Sequence, residues 1–106
     1  MTFKDYARFV ESVWISDGRP LKEALAIMSL GLGGEAGEVQ EHIKKLLRDD
    51  HIDKAALKKE LGDVLYYWTK ICTEMGFTPD EVMQANVDKL TDRLRRGVLR
   101  GNGDDR

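Results

Sequence analysis

The sequence predicts an all-α fold, an antiparallel four-helix bundle-type arrangement that assembles with partner subunits. Strong helix formers dominate the chain, only two prolines occur, and no run shows the alternation expected of a strand. A length of 106 residues suits one domain with a modest core and is too short for two. We therefore expect residues 1–106 to form a single domain ending in a glycine-rich tail over 97–106.

The first helix is predicted over about 2–16. Thr2, followed by Asp5 three residues later, is a capping signal at its start, and the turn-forming run 17–20 ends it. Its apolar positions recur at helical spacing: Phe3, Tyr6, Ala7, Val10 and Trp14.

The second and third helices are predicted over about 21–47 and 54–75, separated by a polar break at 48–53. The apolar stripe of the second is Leu25, Met28, Leu32, Ala36, Val39, Ile43 and Leu46. That of the third is Leu57, Leu61, Val64, Leu65, Trp68, Ile71, Cys72 and Met75. Because the break is short, we expect the two helices to be antiparallel neighbours.

The fourth helix has the clearest start in the chain. Thr78 is placed to cap it, Pro79 takes the first helical position, and Glu81 completes a capping box. The helix is predicted to extend to about Arg96. Its apolar positions are Val82, Ala85, Val87, Leu90 and Leu94.

Composition excludes several classes of protein. The formal net charge is −2, so no global basic field is available to attract polymeric nucleic acid. No stretch approaches the roughly 20 apolar residues that span a membrane, and the N-terminal residues do not resemble a signal peptide. The single cysteine, Cys72, fits a reducing compartment and is expected to be buried and inert. We expect a soluble, cytoplasmic protein.

Two acid pairs have nearly the same surroundings. Glu35-Ala-Gly-Glu38-Val and Glu60-Leu-Gly-Asp63-Val share the order acid, apolar residue, glycine, acid, valine. At 100° per residue, both pairs lie beside the apolar stripe of their helix and not opposite it. Facing helices could therefore bring the four carboxylates together.

Converging carboxylates require protons or a cation. Two like charges about 4 Å apart repel by roughly 1 kcal/mol in water and roughly 4 kcal/mol at an effective dielectric of about 20. An all-oxygen set favours Mg²⁺, or Mn²⁺, over zinc, and such sites usually leave positions for substrate phosphates. Gly37 and Gly62 suggest close backbone approach near the site.

These motifs resemble the MazG family of all-α nucleoside triphosphate pyrophosphohydrolases, which is related to the dimeric dUTPases and the dCTP pyrophosphatases. The likeness rests on Glu-x-x-Glu and Glu-x-x-Asp, on the preceding Leu30-Gly-Leu-Gly-Gly-Glu35, and on the following Val64-Leu-Tyr-Tyr67. It continues through Asn86-Val-Asp-Lys89 to the tail. The first helix is generic.

The resemblance implies hydrolysis of an NTP or dNTP to the monophosphate and pyrophosphate in nucleotide-pool house-cleaning. It also implies a homodimer or a homotetramer built as a dimer of dimers. By position, the metal ligands and catalytic carboxylates are Glu35, Glu38, Glu60 and Asp63. Lys45 and Tyr67 match positions lining the nucleotide site, and Asn86, Lys89 and Arg93 match positions near the phosphates.

Other readings stay open at this point. The main rival is a non-catalytic helical interaction module whose acidic faces only solubilise it. A di-iron carboxylate bundle is disfavoured, because no Glu-x-x-His motif is present. His42 is expected on the surface or behind the metal ligands. Trp14 is expected in the core, at a subunit interface, or stacked on a base. The tail is expected either to fold over a ligand or to fray. Base preference stays open.

Overall fold

The computed structural model describes residues 1–106 and contains four α-helices and no strand. The helices are α1 (Phe3–Val13), α2 (Leu21–Asp49), α3 (Lys54–Glu74) and α4 (Pro79–Arg96). The all-α prediction is thus confirmed. No helix combines the length and the hydropathy of a membrane-spanning segment.

The helix boundaries follow the capping signals of the sequence. Thr2 and Asp5 form a reciprocal capping box, and the Thr78 hydroxyl accepts a hydrogen bond from the Glu81 amide. At the other ends, Asp50 terminates α2 and Gly97 terminates α4, both in the left-handed conformation.

Helix α1 is shorter than its periodicity predicts. It ends at Val13, and Trp14 leaves the helix with an extended backbone, φ −68° and ψ 128°. The indole ring then lies against Tyr66 and Tyr67, with centroids 6.0 and 6.3 Å away. Contacts of Trp14 with α3 thus take the place of a further turn of α1. Local spacing alone does not predict such contacts.

Helices α2 and α3 form an antiparallel hairpin whose register fixes the site. His42 lies opposite Glu60, and Gly31 lies against Tyr67. As residue numbers fall along α2, the numbers of their partners rise along α3. The numbers of facing residues therefore add up to about 100, which brings the middle of α2 to the middle of α3.

Helices α1 and α4 pack against α3 and against each other, and neither packs against α2. Phe3 meets Trp68 edge-on at 6.0 Å. The Lys70 ammonium, on a side chain only 6% exposed, lies 2.7 Å from a Glu11 carboxylate oxygen and 3.3 Å from one of Glu74. Helix α3 is therefore the centre of the chain, and α2 has a single helical neighbour.

This arrangement leaves a small core. Only seven of 106 residues are buried, with Val10, Met28 and Cys72 as the apolar members. Burial of Cys72, as predicted, raises the pKa of its thiol. The accessible surface is 8035 Å², whereas a compact monomer of this size exposes about 6,000 Å². The radius of gyration is 16.6 Å against about 13 Å for a compact domain of this length.

Candidate metal and nucleotide site

The hairpin brings three of the four predicted carboxylates together. One ligand oxygen from each of Glu35, Glu60 and Asp63 lies within 4.8 Å of the others. Helix α2 contributes Glu35, and α3 contributes the other two, which share a face because they are three residues apart. An all-oxygen donor set this compact is of the kind that binds a hard divalent cation.

The electrostatics of Glu35 show that the carboxylates interact. Partial burial raises its pKa above the ordinary value of 4.5, and hydrogen bonding to Glu60 and the charges of Asp63, Glu60 and Glu38 raise it further. Burial disfavours the charged form of Glu35 itself, and the neighbouring carboxylates disfavour a further negative charge beside them. A bound cation would reverse that preference, because it favours the ionised form.

Glu38, the fourth predicted carboxylate, lies outside this cluster. Its side chain is exposed on α2, although its charge reaches Glu35. His42, one turn further, places Nε2 4.0 Å from a Glu60 carboxylate oxygen and is only 16% exposed. The structure therefore places a mostly buried His42 next to a predicted ligand.

Tyr6 of α1 is a neighbour of the site that the sequence did not identify. Burial raises the pKa of its phenol, and the charge of Asp63 raises it further. Its spacing within α1 marked it only as an apolar-face residue, and α1 carries no family motif. Only the packing of α1 on α3 brings Tyr6 near the carboxylates.

Tyr67 lies one helical turn beyond Asp63, in an aromatic cluster with Tyr66 and Trp14. The two tyrosine rings meet edge-on with centroids 5.3 Å apart, and the indole of Trp14 is perpendicular to Tyr67 at 6.3 Å. On its other side, the Tyr67 ring contacts Gly31 of α2. The predicted nucleotide-site residue thus stands beside the carboxylates, held by three neighbours.

A cleft of about 380 Å³ adjoins this cluster at Trp14 and lies between the segment that follows α1 and parts of α2 and α3. Its wall includes Trp14, Arg19, Met28, Lys70 and Glu74. The Lys70 ammonium lies 5.3 Å from the Trp14 ring centroid. Burial lowers the pKa of Lys70, but hydrogen bonds and charges from Glu11 and Glu74 outweigh this and raise it.

Lys89 and Arg93 of α4, which are predicted to bind phosphate, contact the tail and not the carboxylate cluster. Lys89 Nζ lies 3.0 Å from Oδ1 of Asp104, and Arg93 Nη2 lies 3.4 Å from the same oxygen and donates to the Asp104 carbonyl. Arg93 is 4% exposed because the tail folds over it. These contacts lower the pKa of Asp104.

Two further predicted site residues have no polar partner within the chain. Lys45 and Asn86 are exposed and make no side-chain hydrogen bond or ion pair within the chain. The expectation of close backbone approach at Gly37 and Gly62 is not met inside one chain, since a Cβ at either position would have no neighbour within 4 Å.

Comparison with known proteins places the acid pairs in a family context. The sequence model of the MazG nucleotide pyrophosphohydrolase domain matches residues 24–97, a span that holds the carboxylates and nearly all of α2, α3 and α4. The Gene 37 protein of Mycobacterium phage L5 is 39% identical over 89 residues, which cover 79% of this chain and 78% of that protein. No solved structure matches the chain.

Proposed function

Because the chain belongs to the MazG nucleotide pyrophosphohydrolase family, we propose that it hydrolyses a nucleoside or deoxynucleoside triphosphate to the monophosphate and pyrophosphate. The observation that carries the proposal is the carboxylate cluster of Glu35, Glu60 and Asp63. A cluster that neighbouring charges disfavour when ionised suits a cation-dependent reaction better than a role in solubility. The cellular task proposed is nucleotide-pool house-cleaning.

The cofactor proposed is Mg²⁺, with Mn²⁺ as a substitute. Glu35, Glu60 and Asp63 would hold the ion, and the exposed Glu38 would join them from the next turn of α2. When bound, Mg²⁺ neutralises charge on the phosphates and lowers the pKa of a water molecule. His42, close to Glu60, orients that carboxylate, as groups behind metal ligands commonly do.

The cations and aromatic residues around the carboxylate cluster are proposed to bind the substrate. Lys89 and Arg93 are proposed to bind the phosphates, where charge-assisted hydrogen bonds are strongest. In the structure they hold the Asp104 carboxylate, so a phosphate would replace one oxyanion with another. Lys45 and Asn86 are proposed to contribute once the nucleotide is bound.

Tyr67 and the cleft beside it are proposed to hold the nucleoside. Lys70 is seven residues beyond Asp63, which corresponds to about 10 Å along a helix. A nucleotide with its phosphates at the carboxylates could therefore extend its base past Tyr67 toward Trp14.

We propose that a second copy of the chain completes the site, in a homodimer or a dimer of dimers. Lys89 and Arg93 lie on a helix that does not pack against α2, so one chain does not bring all the predicted residues together. The accessible surface exceeds that of a compact monomer by about 2,000 Å², an area within the range that obligate homodimers bury.

The deciding experiment is a panel of canonical and modified NTPs and dNTPs incubated with the protein, with Mg²⁺ or with excess EDTA. We expect pyrophosphate and the monophosphate from at least one nucleotide, and only with Mg²⁺. Release of orthophosphate alone, or equal turnover in EDTA, would refute the proposal. No turnover of any nucleotide, with no binding, would favour the non-catalytic interaction module.

A further inference from the structure

Gly31 differs from the other glycines of α2 in what lies beside it. A Cβ built on Gly31 would lie 2.5 Å from Cζ and 2.7 Å from Cδ1 of Tyr67, distances that real Cβ atoms essentially never show. At Gly33, Gly34 and Gly37 the same Cβ would have no neighbour within 4 Å. The Tyr67 ring thus occupies the volume that a side chain at position 31 would need.

This contact is directly next to the carboxylate cluster. Gly31 precedes Glu35 by four residues on α2, and Tyr67 follows Asp63 by four on α3, so each lies one helical turn from a carboxylate on its own helix. The contact and the cluster are therefore successive layers of the same antiparallel seam. Whatever sets the spacing of the helices in one layer also affects the other.

The Tyr67 ring is also restrained on its other sides. Tyr66 meets it edge-on at 5.3 Å, and Trp14 meets it at 6.3 Å with an interplanar angle of 89°. A Cβ at position 31 would have to be accommodated by turning the ring into these neighbours or by moving α2 away from α3. Either movement changes the site.

We infer that Gly31 is a positioning residue for the metal site and that it acts through Tyr67. The missing side chain lets the Tyr67 ring insert between α2 and α3, and this insertion sets the separation at which Glu35 meets Glu60 and Asp63. The inference rests on the proposed metal-dependent function. It assigns a role to one glycine in a helix where glycine is otherwise unfavourable.

The test compares Gly31→Ala with Gly33→Ala, the same substitution in the same helix at an exposed position with open space. Mn²⁺ binding to the full chain is measured by electron paramagnetic resonance titration. We expect Gly31→Ala to weaken Mn²⁺ binding by about tenfold or more, as changes behind metal ligands typically do. Gly33→Ala should bind Mn²⁺ as the wild type does.

A double-mutant cycle separates action through the ring from a general effect on the helix. Each alanine is placed in a Tyr67→Leu background, where no ring occupies the space next to position 31. There Gly31→Ala should cause no further loss of Mn²⁺ affinity, because the two substitutions act on one contact. The urea midpoint is followed in parallel and should show the same non-additivity.

Three results would overturn the inference. Equal Mn²⁺ affinity of Gly31→Ala and wild type would show that the contact does not position the site. An undiminished effect in the Tyr67→Leu background would show that the ring is not the intermediary. A wild type that binds no Mn²⁺ would refute the proposed function as well, whereas the first two results leave that function standing.

Discussion

Glu35 of α2 faces α3, and its surroundings set the pKa of its carboxyl group. It is partly buried on α2, and Glu60 and Asp63 of α3 face it. Burial and these charges raise the pKa of Glu35 above 4.5. The same surroundings that disfavour the ionised carboxylate in the free protein would favour it strongly around a divalent cation.

The first prediction concerns the metal-free protein and its pH dependence. Because the pKa of Glu35 is raised in the folded state, the folded protein favours the neutral carboxyl group. The contribution of this neutral group to stability is fully present below pH 4.5 and is lost as pH rises through the raised pKa. Glu35→Gln should keep that contribution at neutral pH. In EDTA, the free energy of unfolding of Glu35→Gln should exceed that of the wild type by on the order of 1 kcal/mol at pH 7.

Urea denaturation at pH 4, 5.5 and 7 checks this prediction. The difference between Glu35→Gln and the wild type should grow with pH and vanish at the acidic end. A difference that is constant across the three pH values would mean that the carboxylates do not interact.

The second prediction separates metal binding from stability. Asp63→Asn should reduce pyrophosphohydrolase activity by orders of magnitude, because it removes a ligand oxygen charge. Glu38→Gln should also reduce it if Glu38 joins the site. Glu41→Gln is the control, since Glu41 is exposed and its ion pair is with Lys44.

Thermal melts accompany the activity measurements. Mg²⁺ should raise the melting temperature of the wild type and of Glu41→Gln, because only a ligand that binds the folded state adds stability. The melting temperature of Asp63→Asn should hardly respond. A wild type indifferent to Mg²⁺ beside a fully active Asp63→Asn would contradict the site.

At the scale of whole elements, α4 and the tail form one unit. The tail covers Arg93, and Asp104 connects it to Lys89 and Arg93. These are the cations proposed to bind the phosphates. Phosphate binding and tail docking should therefore compete for the same donors.

The third prediction tests that competition. Asp104→Asn removes the tail's charge and should strengthen binding of a nucleoside triphosphate by roughly two- to fivefold, the range for an exposed ion pair. Asp105→Asn is the matched control, because Asp105 makes no ion pair. Isothermal titration calorimetry measures both. Equal affinity for the two variants would show that the Asp104 carboxylate does not compete.

The fourth prediction concerns Lys89 and Arg93 themselves. Replacing either by alanine should weaken triphosphate binding more than monophosphate binding, because the number of charge-assisted contacts scales with the number of phosphates. Binding titrations with the tri- and monophosphate of one nucleoside provide the comparison. Equal losses for both ligands would assign these residues to the fold alone.

At the scale of the whole molecule, the single chain leaves many large apolar side chains exposed. Leu30 and Leu47 on α2 are 76% and 89% exposed, and Val87 and Leu94 on α4 are 54% and 65% exposed. Helical spacing puts Val87, Leu90 and Leu94, three of the predicted apolar positions of α4, on one side of the helix, which an amphipathic pattern would bury. An exposed apolar side of this kind fits the proposed contact with a second chain.

The fifth prediction is the oligomeric state. We expect the wild type to sediment as a dimer or tetramer, and Leu94→Glu to shift the distribution toward the monomer and reduce activity with it. Ala85→Glu is the control, because Ala85 is exposed and lies on the opposite side of α4 by helical spacing. Analytical ultracentrifugation decides. A monomeric, active wild type would refute the proposed assembly.

The sequence by itself determined the elements and much of the site's composition. Capping residues such as Thr78 and the breaks at 17–20 and 48–53 act locally, so the helix starts at Leu21, Lys54 and Pro79 are readable without a structure. The acid pairs could be read for the same reason, since residues three apart share a helix face whatever the rest of the chain does.

The tertiary structure alone decided which of these faces meet. The register of α2 against α3 brings Glu35 to Glu60 and Asp63 and leaves Glu38 outside, because contacts between distant residues depend on packing that no local spacing encodes. The same holds for the early end of α1 at Trp14, for Tyr6 beside Asp63, and for the Tyr67 ring at Gly31. Helical periodicity fixes what lies on one face of a helix, and only packing between helices fixes what lies opposite that face.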